Sequence, residues 1–242
     1  MAKVLQFWNL APAPGGCPFA HRAWLALEEK KIKHEKRIVS KENKPQDFLD
    51  AYHSVWPDKE KNATVPTIID TDGTTVTESQ VVVEYLEQRY KGQGTQLIPT
   101  DPAHAAKARM FGELFTSNFA PGNHGIMFSK TQQEVADAKA KLVHGLQVLD
   151  TFLTTQALQG GPFVLGEHYS IAEVSSAPFV WRTTFLAPHY RNIDVFAEAK
   201  ARNLNRFLEW TQAVLERPST RDTAIPHEAI IEAWKPMVPK LS

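Results

Sequence analysis

The chain has 242 residues, 43% of them hydrophobic and 22% charged, with 27 basic side chains balancing 27 acidic ones. That length supports one large or two modest domains with a sizeable core, while zero net charge without single-sign runs gives no footing for nucleic acid. No apolar stretch approaches the roughly 20 residues of a membrane span, and a single cysteine, Cys17, excludes an internal disulfide framework and any CxxC metal or dithiol site.

The start, Met1-Ala2-Lys3-Val4, lacks the apolar region and cleavage site of a signal peptide, so the expectation is a cytoplasmic protein. Val4 to Trp8 is a short apolar run bounded by Asn and Pro, and predicts a buried strand. A Pro- and Gly-rich loop, Asn9 to Gly16, leads to Cys17-Pro18. Proline suits the first helical position, where its missing N–H has no intrahelical partner. Cys17 then falls at the N-cap, facing the unpaired N–H groups and the positive end of the helix dipole. Such a setting brings a cysteine pKa from about 8.5 down to roughly 3.5–7.5 and makes the sulfur nucleophilic at neutral pH. A lone cysteine is more often a small buried hydrophobe, but the Gly-Gly before it and the Pro after it argue against a core position.

Ala20, Ala23, Trp24 and Leu27 form one helical stripe, with Arg22, Glu28 and Glu29 expected off it and Lys30-Lys31 closing the helix. A second strand is predicted over Glu35 to Val39, then an amphipathic piece carrying Phe48, Leu49 and Tyr52, then an irregular charged loop from His53 to Thr64. Val65-Pro66 opens a strand to Asp70, Asp72-Gly73 signals a hairpin turn, and Thr74 to Thr77 returns. Thr77-Glu78-Ser79-Gln80 has the form of a capping box and predicts a helix to Tyr90. Residues 1–90 thus read β-α-β-α-β-β-α, with 91–100 as a linker. From 101 to 242 the signals are helical: Asp101-Pro102 opens a helix interrupted near Pro121 to Gly125, and capping boxes at Thr131 and Ser170 start helices to about Thr155 and Leu186. Further helices are predicted at Arg202 to Glu216 and His227 to Trp234. The fold class is a small α/β domain followed by an all-α one.

The motifs Cys17-Pro18-Phe19-Ala20-His21-Arg22, Asn43-Lys44-Pro45, Val65-Pro66 and Glu78-Ser79 with Glu84-Tyr85-Leu86, in this order, resemble the cysteine-type glutathione transferases, omega and lambda classes nearest. The resemblance spans the whole chain and implies a thioredoxin-like domain joined to a helical glutathione-transferase C-terminal domain. It implies glutathione as co-substrate without a metal, and Cys17 as the catalytic residue that forms a mixed disulfide. Ser79 and the helix start would bind the γ-glutamyl carboxylate and Glu78 the ammonium. The backbone of Val65, before Pro66 as the family's cis-proline, would pair with the cysteinyl part as an added strand does. Lys44 would meet the glycyl carboxylate and Phe19 would flank the thiol. The stretch between Pro45 and Val65 is longer than the omega pattern, which leaves Lys41, Lys59 and Lys61 as alternatives to Lys44. On residues alone, Glu78-Ser79 equally fits a plain helix cap, Pro66 a strand entry and Lys44 a solvated charge.

The implied activity is thiol transfer: deglutathionylation, or reduction of a disulfide or dehydroascorbate, acting on small thiols, disulfides or ketones. Phe115, Phe119, Trp181 and Trp234 are candidates for an acceptor pocket. The resemblance implies a homodimer or a monomer. Ser170 to Glu173 carries Glu where the family usually has Asp, and reads as structural; the nine histidines show no close pair at metal-ligand spacing. A non-catalytic glutathione carrier and a chloride-channel-like relative are the rival readings, the latter disfavoured by Arg22, Glu28, Glu29, Lys30 and Lys31 on the first helix.

Overall fold

A computed structural model describes residues 4–11 and 16–242; residues 1–3 and residues 12–15, half of the Pro-rich loop read from the sequence, lie outside the described residues. The chain divides into two compact units, Met1–Leu97 with Asp222–Ala229, and Ile98–Arg221 with Ile230–Ser242.

In the first unit the elements run β1 (Leu5–Leu10), α1 (Pro18–Glu29), β2 (His34–Val39), α2 (Gln46–Val55), β3 (Thr67–Ile69), β4 (Thr75–Thr77) and α3 (Ser79–Arg89). The sheet order is β2-β1-β3-β4. β1 is parallel to β2, a pairing that needs a crossover such as α1, and antiparallel to β3, with Phe7 opposite Ile68. Side chains alternate across a strand. Trp8 joins Val39, Phe48, Tyr52 and Ala63 in a cluster with α2, and Leu5 and Phe7, wholly buried, fill the other face. The thioredoxin-like βαβαββα order is that read from the sequence.

α1 differs from its amphipathic expectation. Besides the apolar stripe it buries Arg22 and Glu29, and the following Lys30 is fully enclosed. The reason is that neighbouring chain supplies partners: Lys30 Nζ donates to Glu87 of α3 at 2.8 Å, and Thr95 Oγ1 donates to Glu29 Oε2 at 2.6 Å. The stretch 91–100 has no helix or strand, yet it is tied to α1 and α3. Thr95 N–H donates to Glu29 O, Leu97 N–H to Glu87 Oε2, and a Cβ at Gly94 (φ +61°) would strike the backbone of Glu29 and Lys30.

Asp70, just past β3, fastens the hairpin to α3. Its carboxylate accepts from the hydroxyls of Tyr85 (2.6 Å) and Tyr90 (2.5 Å) and from Thr71 N–H, with Arg89 at 3.6 Å. Burial pushes this carboxyl up, but the hydrogen bonds from Tyr85, Tyr90 and Thr71 outweigh it and hold it below the usual range. The same contacts push Tyr85, through burial first and then Asp70, up to about 12.

The second unit is helical: α4 (Pro102–Leu114), a π-helical turn (Phe115–Phe119), α5 (Ala120–Phe128), α6 (Gln132–Thr155), α7 (Ile171–Arg191), α8 (Val195–Lys200) and α9 (Asn205–Glu216); the short α10 (Pro218–Asp222) and α11 (His227–Trp234) follow in the chain. The expected break near Pro121 to Gly125 is absent; the helical path widens one turn earlier, where Ala120 N–H reaches back five residues to Phe115 O. Pro121 then lies in the first turn of α5, where its missing N–H costs least. A Cβ on Gly122 would collide with the Leu142 backbone, so the glycines there serve close packing on α6. The helix expected over Arg202 to Glu216 forms as α9 from Asn205 onward, and α8, capped by Asp194 and not foreseen, precedes it, with Asn203 at φ 57° between the two. α7 runs past Leu186 until Asn192, also left-handed, ends it. Both capping boxes form, and Glu173 in the second is fully buried, accepting from Val164 N–H, Ser170 N–H and Oγ, and Trp210 Nε1.

Asp70 is ionised more readily folded than unfolded, where its pKa is near 3.9, so its contribution to stability is complete above that value and drains away as pH falls through the lower folded value. Asp70→Asn should cost about 2 kcal/mol at neutral pH, as expected for hydrogen bonds to a buried charge. It should also flatten the loss of melting temperature below about pH 4, both read from thermal unfolding across pH.

Candidate functional site

α1 begins at the carboxyl end of β1, and Cys17 is its N-cap, with extended backbone (φ −98°, ψ 122°) and Pro18 in the first turn. The Cys17 carbonyl accepts the first helical hydrogen bond from His21 N–H at 3.0 Å, and the residue is half-buried. It lines a cavity of about 420 Å³ within the first unit. The β3 entry contributes Val65 and Pro66, joined by a cis peptide bond, and the junction of β4 and α3 contributes Glu78 and Ser79. Phe19, half-exposed, and Lys44 complete the set named from the sequence: all seven of these residues meet at one cavity.

The cap of α3 is not the one expected. Its N-cap is Glu78, held at φ 69°, and the N-cap side chain makes no hydrogen bond to the helix. Thr77 is engaged elsewhere: its hydroxyl donates to Pro66 O at 3.1 Å and lies 3.3 Å from that of Thr67. β3 and β4 pair at Thr67 and Thr77, and this register turns the Thr77 side chain into the sheet rather than onto α3. A non-glycine residue in the left-handed region costs about 1 kcal/mol or more and recurs where a side chain must be aimed. At Glu78 it sets the carboxylate at the cavity instead of over its own helix.

Lys41 and Lys61 join Lys44 around the cavity, whereas Lys59 is not among the lining residues and donates to His53 O. Lys61 lies over the Trp56 ring, 3.3 Å from its centroid, and 3.6 Å from Glu78 Oε1. Three lysines therefore face one lining carboxylate, which makes the cavity a place for anions.

Arg22 is the residue that sequence reading missed. It is 6% exposed, donates from Nη1 to Ser79 Oγ at 3.3 Å, and sets its guanidinium 5.3 Å from the centre of the Phe19 ring. Burial lowers its pKa to about 10, with the charge of Cys17 pulling the other way. The sequence carries one signal for it: at three and four positions along α1 stand Phe19, Leu25, Pro18 and Ala26, so no acidic helix neighbour is there to take the charge.

The four aromatic residues proposed for an acceptor pocket belong to the packing of the second unit. Phe115 and Phe119 are buried and stacked at 4.5 Å, Trp181 meets the edge of Phe185, and Trp234, half-buried, stacks on Phe128 at 6.1 Å. Among the described residues no three His, Cys, Asp or Glu side chains gather as metal ligands, and no helix is long and apolar enough to cross a membrane.

Residues 16–89 match the family model of the glutathione S-transferase N-terminal domain. Residues 16–89 therefore carry a glutathione S-transferase N-terminal domain. The protein is 28% identical to glutathione S-transferase DHAR2 of Arabidopsis thaliana over 93% of the chain and 91% of that relative. Among solved structures, the fold is similar to glutathione transferase Omega 3C of Trametes versicolor, with a TM-score of 0.78 at 23% identity over 95% of this chain and 93% of that one. It is also similar to dehydroascorbate reductase of Chlamydomonas reinhardtii, with a TM-score of 0.74 at 24% identity over 98% and 100%. The family model, the relatives and the fold thus agree with the resemblance read from the motifs, and the lining of the cysteine-bearing cavity lies wholly in the first unit.

The cationic rim has a direct readout. Iodoacetate should alkylate Cys17 faster, relative to neutral iodoacetamide, than it alkylates a free thiol, and the ratio should fall at least threefold as ionic strength rises about tenfold from low salt. Mass spectrometry of the intact protein follows the single adduct.

Proposed function

We propose that this protein is a glutathione-dependent thiol transferase working through a mixed disulfide at Cys17. The observation that carries the reading is the placement of the chain's one cysteine at the N-cap of α1, in the cavity that Glu78, Ser79 and the lysines share. Glutathione, as co-substrate, has a carboxylate at each end. Ser79 at the start of α3 and the lysine rim offer a partner for each, Glu78 one for the ammonium, and the Val65 backbone one for the central peptide. No metal is required.

The chemistry balances with one cysteine. The Cys17 thiolate attacks the glutathionyl sulfur of a mixed disulfide; the Cys17–glutathione S–S bond forms as the substrate S–S bond breaks, and the released thiolate takes a proton. A second glutathione, as thiolate, attacks the glutathionyl sulfur on Cys17. Oxidised glutathione leaves and the Cys17 thiolate returns. Dehydroascorbate is reduced by the same two-electron exchange, two glutathiones ending as the disulfide. Relatives named as dehydroascorbate reductases and as omega transferases support this class of reaction. Conjugation to electrophiles suits the site less, since a cysteine beside the glutathione sulfur leads to disulfide where a hydroxyl would only stabilise the thiolate. A reducing, glutathione-rich compartment such as the cytosol is where this cycle runs forward.

The test is glutathione-dependent reduction of hydroxyethyl disulfide and of dehydroascorbate by native protein and by Cys17→Ser. The native protein should reduce at least one, and the variant should lose at least a hundredfold in rate while still binding glutathione; a gain of conjugating activity in the variant would confirm that Cys17 selects the reaction. Equal rates in both proteins would remove Cys17 from the mechanism. Among the lysines, Lys44→Ala should weaken glutathione binding about fivefold, the scale of one exposed charge contact, while Lys59→Ala should leave it unchanged, as titration calorimetry would read.

A further inference from the structure

Arg22 has a place in the site that the thiol-transfer reading has not used. It is a charged side chain enclosed in α1, a position that is unfavourable unless the charge does something for its surroundings. Its Nη1 reaches Ser79 Oγ at 3.3 Å, and both side chains are more than nine-tenths buried. A guanidinium has only donors, so the serine oxygen must be the acceptor. That fixes the hydroxyl rotor: with one lone pair turned to Arg22, the O–H points elsewhere, and Ser79 borders the cavity. The hydroxyl is thereby set to donate to an acceptor in the cavity, at the first residue of an eleven-residue helix whose dipole favours an anion. The guanidinium adds a full positive charge behind that position, in an environment with little water to screen it.

We propose that Arg22 is a positioning residue for glutathione: it orients the Ser79 hydroxyl, and backs it with charge, so that Ser79 recognises the γ-glutamyl α-carboxylate. The proposal rests on the thiol-transferase reading for the identity of the ligand. It assigns no contact between Arg22 and the ligand; the effect passes through Ser79.

The experiment titrates two ligands into Cys17→Ser protein with and without Arg22→Met or Arg22→Lys. One ligand is glutathione, and the other is glutathione with its γ-glutamyl α-carboxylate converted to the amide. Arg22→Met should weaken glutathione about tenfold, the scale of a charge-assisted hydrogen bond, yet weaken the amide less than twofold. Arg22→Lys, which keeps the charge, should bind glutathione within about threefold of the parent, since the charge supplies much of the effect. In protein with Cys17 intact, Arg22→Met should raise KM for glutathione and leave kcat within twofold. Equal weakening of both ligands by Arg22→Met would make Arg22 a packing residue and overturn the proposal, as would unchanged glutathione binding. If Arg22→Met fails to fold, the same comparison is made with Arg22→Lys, where any loss must fall on glutathione and spare the amide; an equal loss on both overturns the proposal. Failure of the parent protein to bind glutathione would instead overturn the thiol-transferase reading itself, an outcome distinct from any effect of Arg22.

Discussion

The site depends on a helix that is buried along almost its whole length yet must leave one end open. α1 carries Cys17 at its first turn and encloses Arg22, Glu29 and the adjoining Lys30. Each buried charge needs a partner brought by another element, because an isolated ion inside a protein is too costly to keep. Lys30 finds Glu87, Glu29 finds Thr95, and Arg22 finds Ser79. Two of the three partners lie on α3, so α1 is pinned to α3 at both ends. The N-terminus of α3, with Glu78 and Ser79, is therefore held in fixed register to the N-terminus of α1, with Cys17. Two helix starts converge on one cavity, and both favour negative charge.

This pinning explains why some of the architecture was legible and some was not. The strand and helix order of the first unit follows from short apolar runs and from proline and glycine punctuation, which act locally. Cys17 as N-cap follows from Pro18 alone. The capping boxes at Thr131 and Ser170 also close within four residues, and both form. Thr77-x-x-Gln80 has the same local pattern, but strand pairing with Thr67 claims the threonine first. The enclosure of Arg22, Glu29 and Lys30 is a tertiary matter. Helical periodicity put them on a wet face, and only the arrival of α3 and of residues 93–97 makes that face dry. The π-helical turn before Pro121 is likewise invisible to propensity, since the signal was the proline and the accommodation occurs a turn upstream.

The residues named for the candidate site come from motifs with local chemistry, a cysteine before a proline, a proline at a strand entry, a polar pair at a helix start, and they line one cavity. Its lysines were harder. Lys41, Lys44 and Lys61 all border the cavity, and sequence spacing cannot rank residues that approach from two different loops. The aromatic candidates carry no such local signal: an aromatic on a helix is first a core residue, and Phe115 and Phe119 stack on one another.

One feature of the first unit reaches beyond its chemistry. The unit is not continuous in sequence: Asp222–Ala229 belongs to it, and Thr223 Oγ1 lies 2.7 Å from His21 Nε2 on α1. On a ribosome, at roughly 5–20 residues per second, the sheet and its helices emerge on the order of ten seconds before the last piece of the same body. A nascent chain released or stalled in that interval holds every residue of the cavity but lacks the segment that covers His21. The order of synthesis thus places Cys17 in a nearly finished setting before the unit that carries it is whole.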